Sequence, residues 1–350
     1  MADPGGAAPI SPGFSLIIPV YNGEKTLPDT LRSVFSLEPA AGEVIAVDDA
    51  STDRTAALAG QAGARVLRLE KNEGPAHARN SGAREALFET LVFTDSDVLV
   101  PKQLLLKLHA LFLETGADAV QGTFSDVCPH SNYFSQYKNL YNRYVLNQLP
   151  DWIDTTFTSL TAVRRSAFLA CGGFDENIRG ASVEDRTLGR NLRKQGFRIR
   201  LDRTIEVIHN KKMTAWGFIQ NQFRRSRDLA KLLLRNRSEP AGASIDTVEP
   251  VDASGRFGTN TFSTMVRIPM AYGALGLLAL AGVDWIFAVF AGLFFLLFLY
   301  LIIPFEMYLV KKRGIQFALQ GIPVNFVDAL VSGLGVAAGL GEFLILGRKY

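Results

Sequence analysis

Residues 91–101 read LVFTDSDVLVP: an apolar run, two aspartates one residue apart, then apolar residues again. A carboxylate is costly to bury without a compensating partner, so Asp95 and Asp97 mark a strand end where the chain turns polar for a reason. The same pattern recurs upstream. FSLIIPVYN at 14–22 is a β-branched, apolar run through Pro19 that delivers Tyr21 and Asn22, as expected of a buried parallel strand and its exit loop. GEVIAVDDAS at 42–51 delivers Asp48 and Asp49. Between these runs, EKTLPDTLRSVFSL places Leu27, Leu31, Val34 and Phe35 at helical spacing, and TDRTAALAGQAG and GPAHARNSGAREAL also read as helices. Strands alternating with helices predict an α/β domain with a parallel sheet. In such sheets ligands sit at the carboxyl ends of the strands. Any one of these acids could be a turn former; three polar strand ends on one rim predict a site.

The rest of the chain narrows the class. Its formal net charge of +3 gives no electrostatic case for nucleic acid. Cys128 and Cys171 form no metal-spaced or redox pair, as expected of reduced thiols in the cytosol. Residues 1–13 lack a signal peptide's charged start and apolar core and read as a flexible leader. Residues 268–305 carry a single charge, Asp284, over nearly twice the ~20 residues of one bilayer crossing. Two spans are expected, at about 268–284 and 285–306, turning at Asp284 and Trp285. A third apolar stretch, at about 325–346, holds Glu342 and glycines, of which Gly335 and Gly339 suit close helix packing. A third crossing is the favoured reading; a re-entrant or interfacial segment is the alternative. Arg256 and Arg267 before the first span and Lys311, Lys312 and Arg313 after the second keep those flanks inside. The N-terminal domain is then cytosolic, on a protein integral to the cytoplasmic membrane.

Residues 214–237, TAWGFIQNQFRRSRDLAKLLLRNR, carry Trp216, Ile219, Phe223, Ala230, Leu233 and Leu234 on one side and Arg224, Arg227, Lys231 and Arg235 on another. That pattern predicts an interfacial amphipathic helix. Residues 238–266 are rich in small residues and read as a mobile loop. The expected organisation is a leader to 13, a catalytic domain over 14–213, the helix, the loop, and a membrane domain over 267–350 with two to three spans.

IIPVYNGEKTLPDTLRSV, VIAVDDASTDRT, NEGPAHARNSGARE, VFTDSDV, CGGFDE and SVEDRTLGRNLRKQG occur in this order between about 14 and 237. The set resembles the family 2 glycosyltransferases of the GT-A fold. The resemblance implies a Rossmann-like mixed sheet flanked by helices, here followed by C-terminal transmembrane helices. It implies an inverting enzyme that moves a sugar from a nucleotide-diphosphate sugar, expected to be a UDP-sugar; because the spans hold the site at the bilayer surface, the expected acceptor is membrane-associated. That acceptor is a lipid-linked molecule or a glycan on the cytosolic face. Mg²⁺ or Mn²⁺ is the implied cofactor; such ions take one or two carboxylates together with phosphate oxygens. By this likeness TDSDV is the DxD motif, with Asp97 the main metal ligand, Asp95 towards metal or ribose, and Ser96 between them. Tyr21 would stack on the base, Asp49 read the uracil edge and Pro19 line the pocket, with Asn22, Glu24, Asp48 and Arg79 completing the nucleotide-sugar set. Asp185 would be the general base beside Glu184; capping of the following helix is the alternative for this pair. His209 is a candidate contact for metal or diphosphate. Gln222 and Arg225 resemble part of the QxxRW acceptor motif of polysaccharide synthases, but Ser226 stands where that motif has tryptophan. Two rival functions remain open: a processive polysaccharide synthase, and a non-catalytic membrane subunit that binds sugar nucleotides.

Overall fold

The computed structural model describes residues 13–178, 180, 182–238 and 259–347. The expected leader and most of the expected loop at 238–266 lie outside the described residues. The chain divides into two compact units that interleave in sequence: Met1–Gly122 with Trp152–Val207, and Thr123–Asp151 with Ile208–Tyr350.

The first unit alternates β1 (Phe14–Val20), α1 (Leu27–Phe35), β2 (Glu43–Asp48), α2 (Thr55–Gln61), β3 (Arg65–Arg68), α3 (Pro75–Glu85) and β4 (Thr90–Phe93). Then come β5 (Val98–Leu99), α4 (Leu104–Thr115) and β6 (Ala119–Phe124). After an excursion into the second unit as α5 (Tyr133–Asn147), the chain returns with β7 (Trp152–Ile153), β8 (Thr161–Arg164), α6 (Arg165–Ala170), α7 (Glu184–Lys194) and β9 (Ile199–His209). The strands form one sheet in the order β3-β2-β1-β4-β8-β6-β9-β5, with β7 on β9. β1 is parallel to β2 and β4, and β2 to β3, while β8 runs antiparallel to β4 and β6. The sheet is therefore mixed. This agrees with the mixed sheet that the family resemblance implied: the parallel pairing expected from the alternation runs from β3 to β4, and β8 reverses it against both β4 and β6.

Burial explains the apolar runs: all seven residues of β1 are buried, with Leu16, Ile17 and Ile18 wholly so, as are Ile45, Leu91 and Phe93 on β2 and β4. Helix α3 lies close over this sheet. A Cβ at its Gly82 would stand 2.5 Å from Ile17 Cγ2 and 3.0 Å from Val47 Cγ2, so only glycine permits the approach.

The second unit packs α5 with α8 (Ala215–Ser238), α9 (Thr259–Leu280), α10 (Trp285–Arg313) and α11 (Ile315–Leu344). Helices α10 and α11 are long and apolar enough to cross a bilayer, with mean hydropathies of 2.9 and 1.5 over their best windows. Asp284 accepts a hydrogen bond from the Ile286 amide at 2.9 Å and caps α10, so the turn falls where the sequence places it. The first expected span is shorter than expected. Its helix stops at Leu280 because residues 281–284 form that turn, and its apolar part, Val266–Leu280, is only 15 residues long. The third begins ten residues early, after Gly314 at φ 86° breaks the chain from α10. Asn325 and Asp328 ride within it, both buried and both partnered: Arg267 donates to Asn325 Oδ1 at 3.0 Å and to Asp328 Oδ2 at 2.6 Å.

Gly335 and Gly339 do allow close packing, and their partner is α8. A Cβ at Gly335 would lie 2.5 Å from the Phe223 carbonyl oxygen, and one at Gly339 would strike the carbonyl of Arg227. Lys231, read as part of a cationic face, is buried here and pairs with Glu342 at 2.9 Å. Part of the basic stripe of α8 therefore faces α11 instead of lipid headgroups.

Candidate active site

Pro19, Tyr21, Asn22, Glu24, Asp48, Asp49, Arg79, Asp95, Ser96, Asp97, Glu184 and Asp185 all belong to the first unit. The loops after β1 and β2 are stitched together. The Asn22 amide donates to Ser51 Oγ at 2.9 Å, and Asn22 Oδ1 accepts from the Thr52 amide at 2.9 Å. Asn22 adopts φ 49°, a left-handed conformation that asparagine tolerates. The Gly23 amide donates to Thr55 Oγ1 at 2.8 Å, and Glu24 Oε2 accepts from Arg54 Nε at 3.5 Å. Asn22 and Glu24 thus build the rim. Tyr21, just before them, is 51% exposed; an exposed aromatic ring can stack on a base. Pro19 is buried within β1.

Asp48 and Asp49 are both buried and both held. Asp48 accepts from the Ser51 amide at 3.1 Å and faces Arg68 at 3.4 Å. Asp49 accepts from the amides of Glu73 and Gly74, each at 2.9 Å and each to a different oxygen. An ionised carboxylate has about four lone-pair sites, so two remain on Asp49 to accept an N–H from a ligand.

Arg79 organises the rest. It is 3% exposed; its Nη2 donates to Asp95 Oδ1 at 2.8 Å and its Nη1 to Glu184 Oε1 at 3.1 Å. Its guanidinium also lies over the Phe174 ring, 5.3 Å from the centroid. Burial alone would lower the pKa of this group, but the charges of Asp95 and Glu184 outweigh it and hold the guanidinium above its ordinary value. The resemblance implied that Arg79 contacts nucleotide or phosphate; in the fold its guanidinium donates to two carboxylates. Glu184 is equally committed. It is 3% exposed, and its second oxygen accepts from the Ser182 amide at 2.7 Å. Asp185, next to it in the first turn of α7, stays half-buried, with Oδ1 accepting from the Arg186 amide at 2.8 Å. Its backbone is fixed by Thr156, whose hydroxyl donates to the Asp185 carbonyl at 2.6 Å.

Asp95, Ser96 and Asp97 form the turn after β4. The Val98 amide donates to the Asp95 carbonyl at 3.2 Å, and the Ser96 carbonyl accepts from Thr30 Oγ1 at 3.0 Å. Both aspartates are half-buried. Among the described residues no group of three or more His, Cys, Asp or Glu is arranged to hold an ion. An all-oxygen site of one or two carboxylates completed by phosphate is nevertheless what Mg²⁺ or Mn²⁺ uses. The surplus of carboxylates over the single buried Arg79 fits such a cation.

The motifs NEGPAHARNSGARE and CGGFDE also meet, which reading them separately did not reveal. Asn80 Nδ2 donates to the Phe174 carbonyl at 2.9 Å and Asn80 Oδ1 accepts from the Phe174 amide at 2.9 Å. This places Phe174 against Arg79. His209, Gln222 and Arg225 belong to the second unit. His209 ends β9 with its ring 5.6 Å from Phe124. Gln222 is buried, with its amide used by Lys138 Nζ at 2.9 Å and by Asp328. Arg225 is half-buried.

Acids and a buried arginine at the carboxyl ends of the strands stand where open α/β sheets place their ligands. Comparison with known proteins specifies the class. Residues 15–172 match the model of glycosyl transferase family 2. Over 92 residues the chain is 35% identical to the poly-beta-1,6-N-acetyl-D-glucosamine synthase of Staphylococcus epidermidis, covering 25% of this chain and 22% of that one. Over 114 residues it is 33% identical to the poly(ribitol-phosphate) beta-N-acetylglucosaminyltransferase TarS of Staphylococcus aureus, covering 31% and 20%. An uncharacterized glycosyltransferase of Bacillus subtilis, YfnE, is 26% identical over 250 residues, with 56% and 64% covered. The match thus spans about a fifth of the length of the first two relatives. In fold, the chain is similar to a mannosyltransferase from Pyrobaculum calidifontis solved with GDP-Man and Mn²⁺, with a TM-score of 0.59, 16% identity and coverage of 93% and 88%. The chain carries a family 2 glycosyltransferase domain of the GT-A fold, followed by two helices that are candidate membrane spans.

Proposed function

We propose that this chain is an inverting, metal-dependent glycosyltransferase. It moves a sugar from a nucleotide-diphosphate sugar, UDP-linked in our reading, to a lipid-linked acceptor at the cytosolic face of the membrane. One observation carries the proposal: Arg79 joins Asp95 of the DSD turn to Glu184 of the acidic pair on α7. The donor-side carboxylates and the neighbouring Asp185 therefore belong to one rigid frame. Asp49 accepts the base's N–H, Tyr21 stacks on the ring, and Asp97 with Asp95 would hold Mg²⁺ or Mn²⁺. When bound, that ion offsets the charge that develops on the departing diphosphate. Asp185 accepts the proton of the attacking acceptor hydroxyl while the new bond to the anomeric carbon forms and the bond to the diphosphate oxygen breaks. Attack opposite the leaving group inverts the centre. Glu184, buried and held by Arg79 and the Ser182 amide, orients α7, and the half-buried Asp185 takes the proton.

The membrane part of the proposal draws on α10 and α11, and on Lys311, Lys312 and Arg313 at the end of α10 as an inside flank. The processive synthase reading is disfavoured by α8. Ser226 stands where the synthase motif has tryptophan, and it lies beside Gly335 of α11. A purely binding subunit has no use for Asp185. The test is transfer from radiolabelled UDP-sugar with Mn²⁺ to membrane lipid extracts. Label appearing in the organic phase supports the reading. Label only in a high-mass polymer, or none while the donor still binds, overturns it in favour of a synthase or a binding subunit.

A further inference from the structure

Three helices of the second unit repeat one pattern. Phe134 and Lys138 on α5, Phe218 and Gln222 on α8, and Val324 and Asp328 on α11 are each four residues apart. Such residues share a helix face, about one 5.4 Å turn from each other. The first of each pair lines an apolar recess of about 230 Å³, together with Ile219, Pro323 and Val327. The second of each pair belongs to one buried cluster, in which Lys138 donates to Gln222 Oε1 at 2.9 Å and Gln222 donates to Asp328. An apolar layer thus lies one turn from a polar layer on all three helices.

The polar layer has surplus positive charge. Asp328 is already paired with Arg267 at 2.6 Å. Lys138 is 7% exposed, donates to a neutral amide and lies over the Tyr141 ring at 5.1 Å, with no carboxylate in ion-pair reach among the described residues. Arg225, one turn beyond Gln222 and half-buried, likewise has no carboxylate partner among them. Burial, reinforced by the charges of Arg225, Arg267 and Lys211 against that of Asp328, pushes the Lys138 ammonium down to about 7. Buried charge in surplus is stabilised by an arriving counter-ion that accepts hydrogen bonds.

We propose that this face of the second unit binds a phosphate-bearing lipid, with the phosphate held by Lys138 and Arg225 and the adjoining stretch of hydrocarbon in the recess. Arginine matches phosphate oxygens in pairs and lysine serves as a point charge, which selects phosphate over a neutral polar head. A recess of this size is below the roughly 300 Å³ of a pocket that encloses a whole ligand, so it takes only part of a chain. Gln222 acts as a positioning residue that aims Lys138. The inference rests on the membrane-anchored reading and not on glycosyl transfer, so its test uses no sugar donor.

The experiment measures equilibrium binding of dodecyl phosphate, dodecanol and inorganic phosphate to the full chain in zwitterionic phosphatidylcholine nanodiscs. Dodecyl phosphate is expected to bind at least about tenfold more tightly than either comparator. Arg225→Gln and Lys138→Met should each remove that advantage, leaving dodecanol unaffected, and Val327→Trp should weaken dodecyl phosphate by filling the recess. Equal binding of dodecanol and dodecyl phosphate would overturn the proposal, as would inorganic phosphate binding as tightly as the amphiphile. If Lys138→Met does not fold, Arg225→Gln carries the test alone, since Arg225 is half-buried and has no carboxylate partner among the described residues; an unchanged affinity there would also overturn it.

Discussion

The buried arginines of the two units, Arg79 and Arg267, are balanced in different ways. In the first, Arg79 sits between Asp95 and Glu184, three groups with a net negative charge at the edge of a ligand-binding rim. In the second, Arg267 and Asp328 balance one another inside a helical bundle, linked through Asn325 to Glu306 at 2.8 Å. A charge-surplus triad costs stability and is best understood through what it receives from outside, whereas a balanced pair needs no ligand. The contrast explains why the first unit can be a reaction site while the buried pair of the second fixes helix register.

Removing the shared arginine should separate the two cases most sharply. Arg79→Met leaves the buried Glu184 and the half-buried Asp95 without their shared cation and should cost roughly 3–5 kcal/mol in thermal unfolding, the usual penalty for breaking a buried pair. Restoring neutrality with Arg79→Met/Glu184→Gln should recover much of that stability but not transfer activity. Recovery of activity would contradict a positioning role for Arg79. In the second unit, Arg267→Met alone should cost a similar amount, whereas Arg267→Met/Asp328→Leu should return close to the wild-type melting point, since balanced buried pairs can be replaced by apolar residues. If the double variant stayed as unstable as the single one, the pair would be more than a register device.

A smaller effect tests the packing of α8 on α11. Gly335→Ala puts a methyl group 2.5 Å from the Phe223 carbonyl and should cost about 1–3 kcal/mol through overpacking. A neutral result would show that the two helices separate easily. The exposed pair Arg32–Asp29, at 2.7 Å on α1, provides the baseline. Replacing Arg32 by Ala should change the melting point by no more than a surface pair is worth, under ~1 kcal/mol.

The first unit was largely legible in the sequence because its polar residues interrupt apolar strands: Tyr21, Asp49 and Asp97 each end a run that would otherwise continue. What each acid touches was not legible. Arg79 reaches Asp95 and Glu184 across 16 and 105 positions, distances at which local pattern says nothing. The second unit was less readable for the same reason. Lys138, Gln222, Arg267 and Asp328 are isolated polar residues in four segments, and only the fold shows that they meet. Helix α5 carried one usable signal, aromatic residues at 133, 137, 141 and 144 on a single helical face. That stripe packs on Phe218, Phe305 and Phe317 within the second unit. The span boundaries shifted because residues 281–284 form the turn before α10, and because α11 starts directly after the break at Gly314.

The central claim is that Asp185, and not Glu184, takes the acceptor's proton. Asp185→Asn keeps the size and most of the hydrogen bonding of the side chain and removes its basicity. Turnover with a membrane-borne acceptor should fall by roughly 10²- to 10⁴-fold, the usual worth of a general base, while donor affinity measured by calorimetry with Mn²⁺ stays near the wild-type value. Asparagine caps a helix nearly as well as aspartate, so near-normal turnover would mean that Asp185 only caps α7. A parallel loss of donor affinity and turnover would instead place Asp185 on the donor side. Either result would contradict the account.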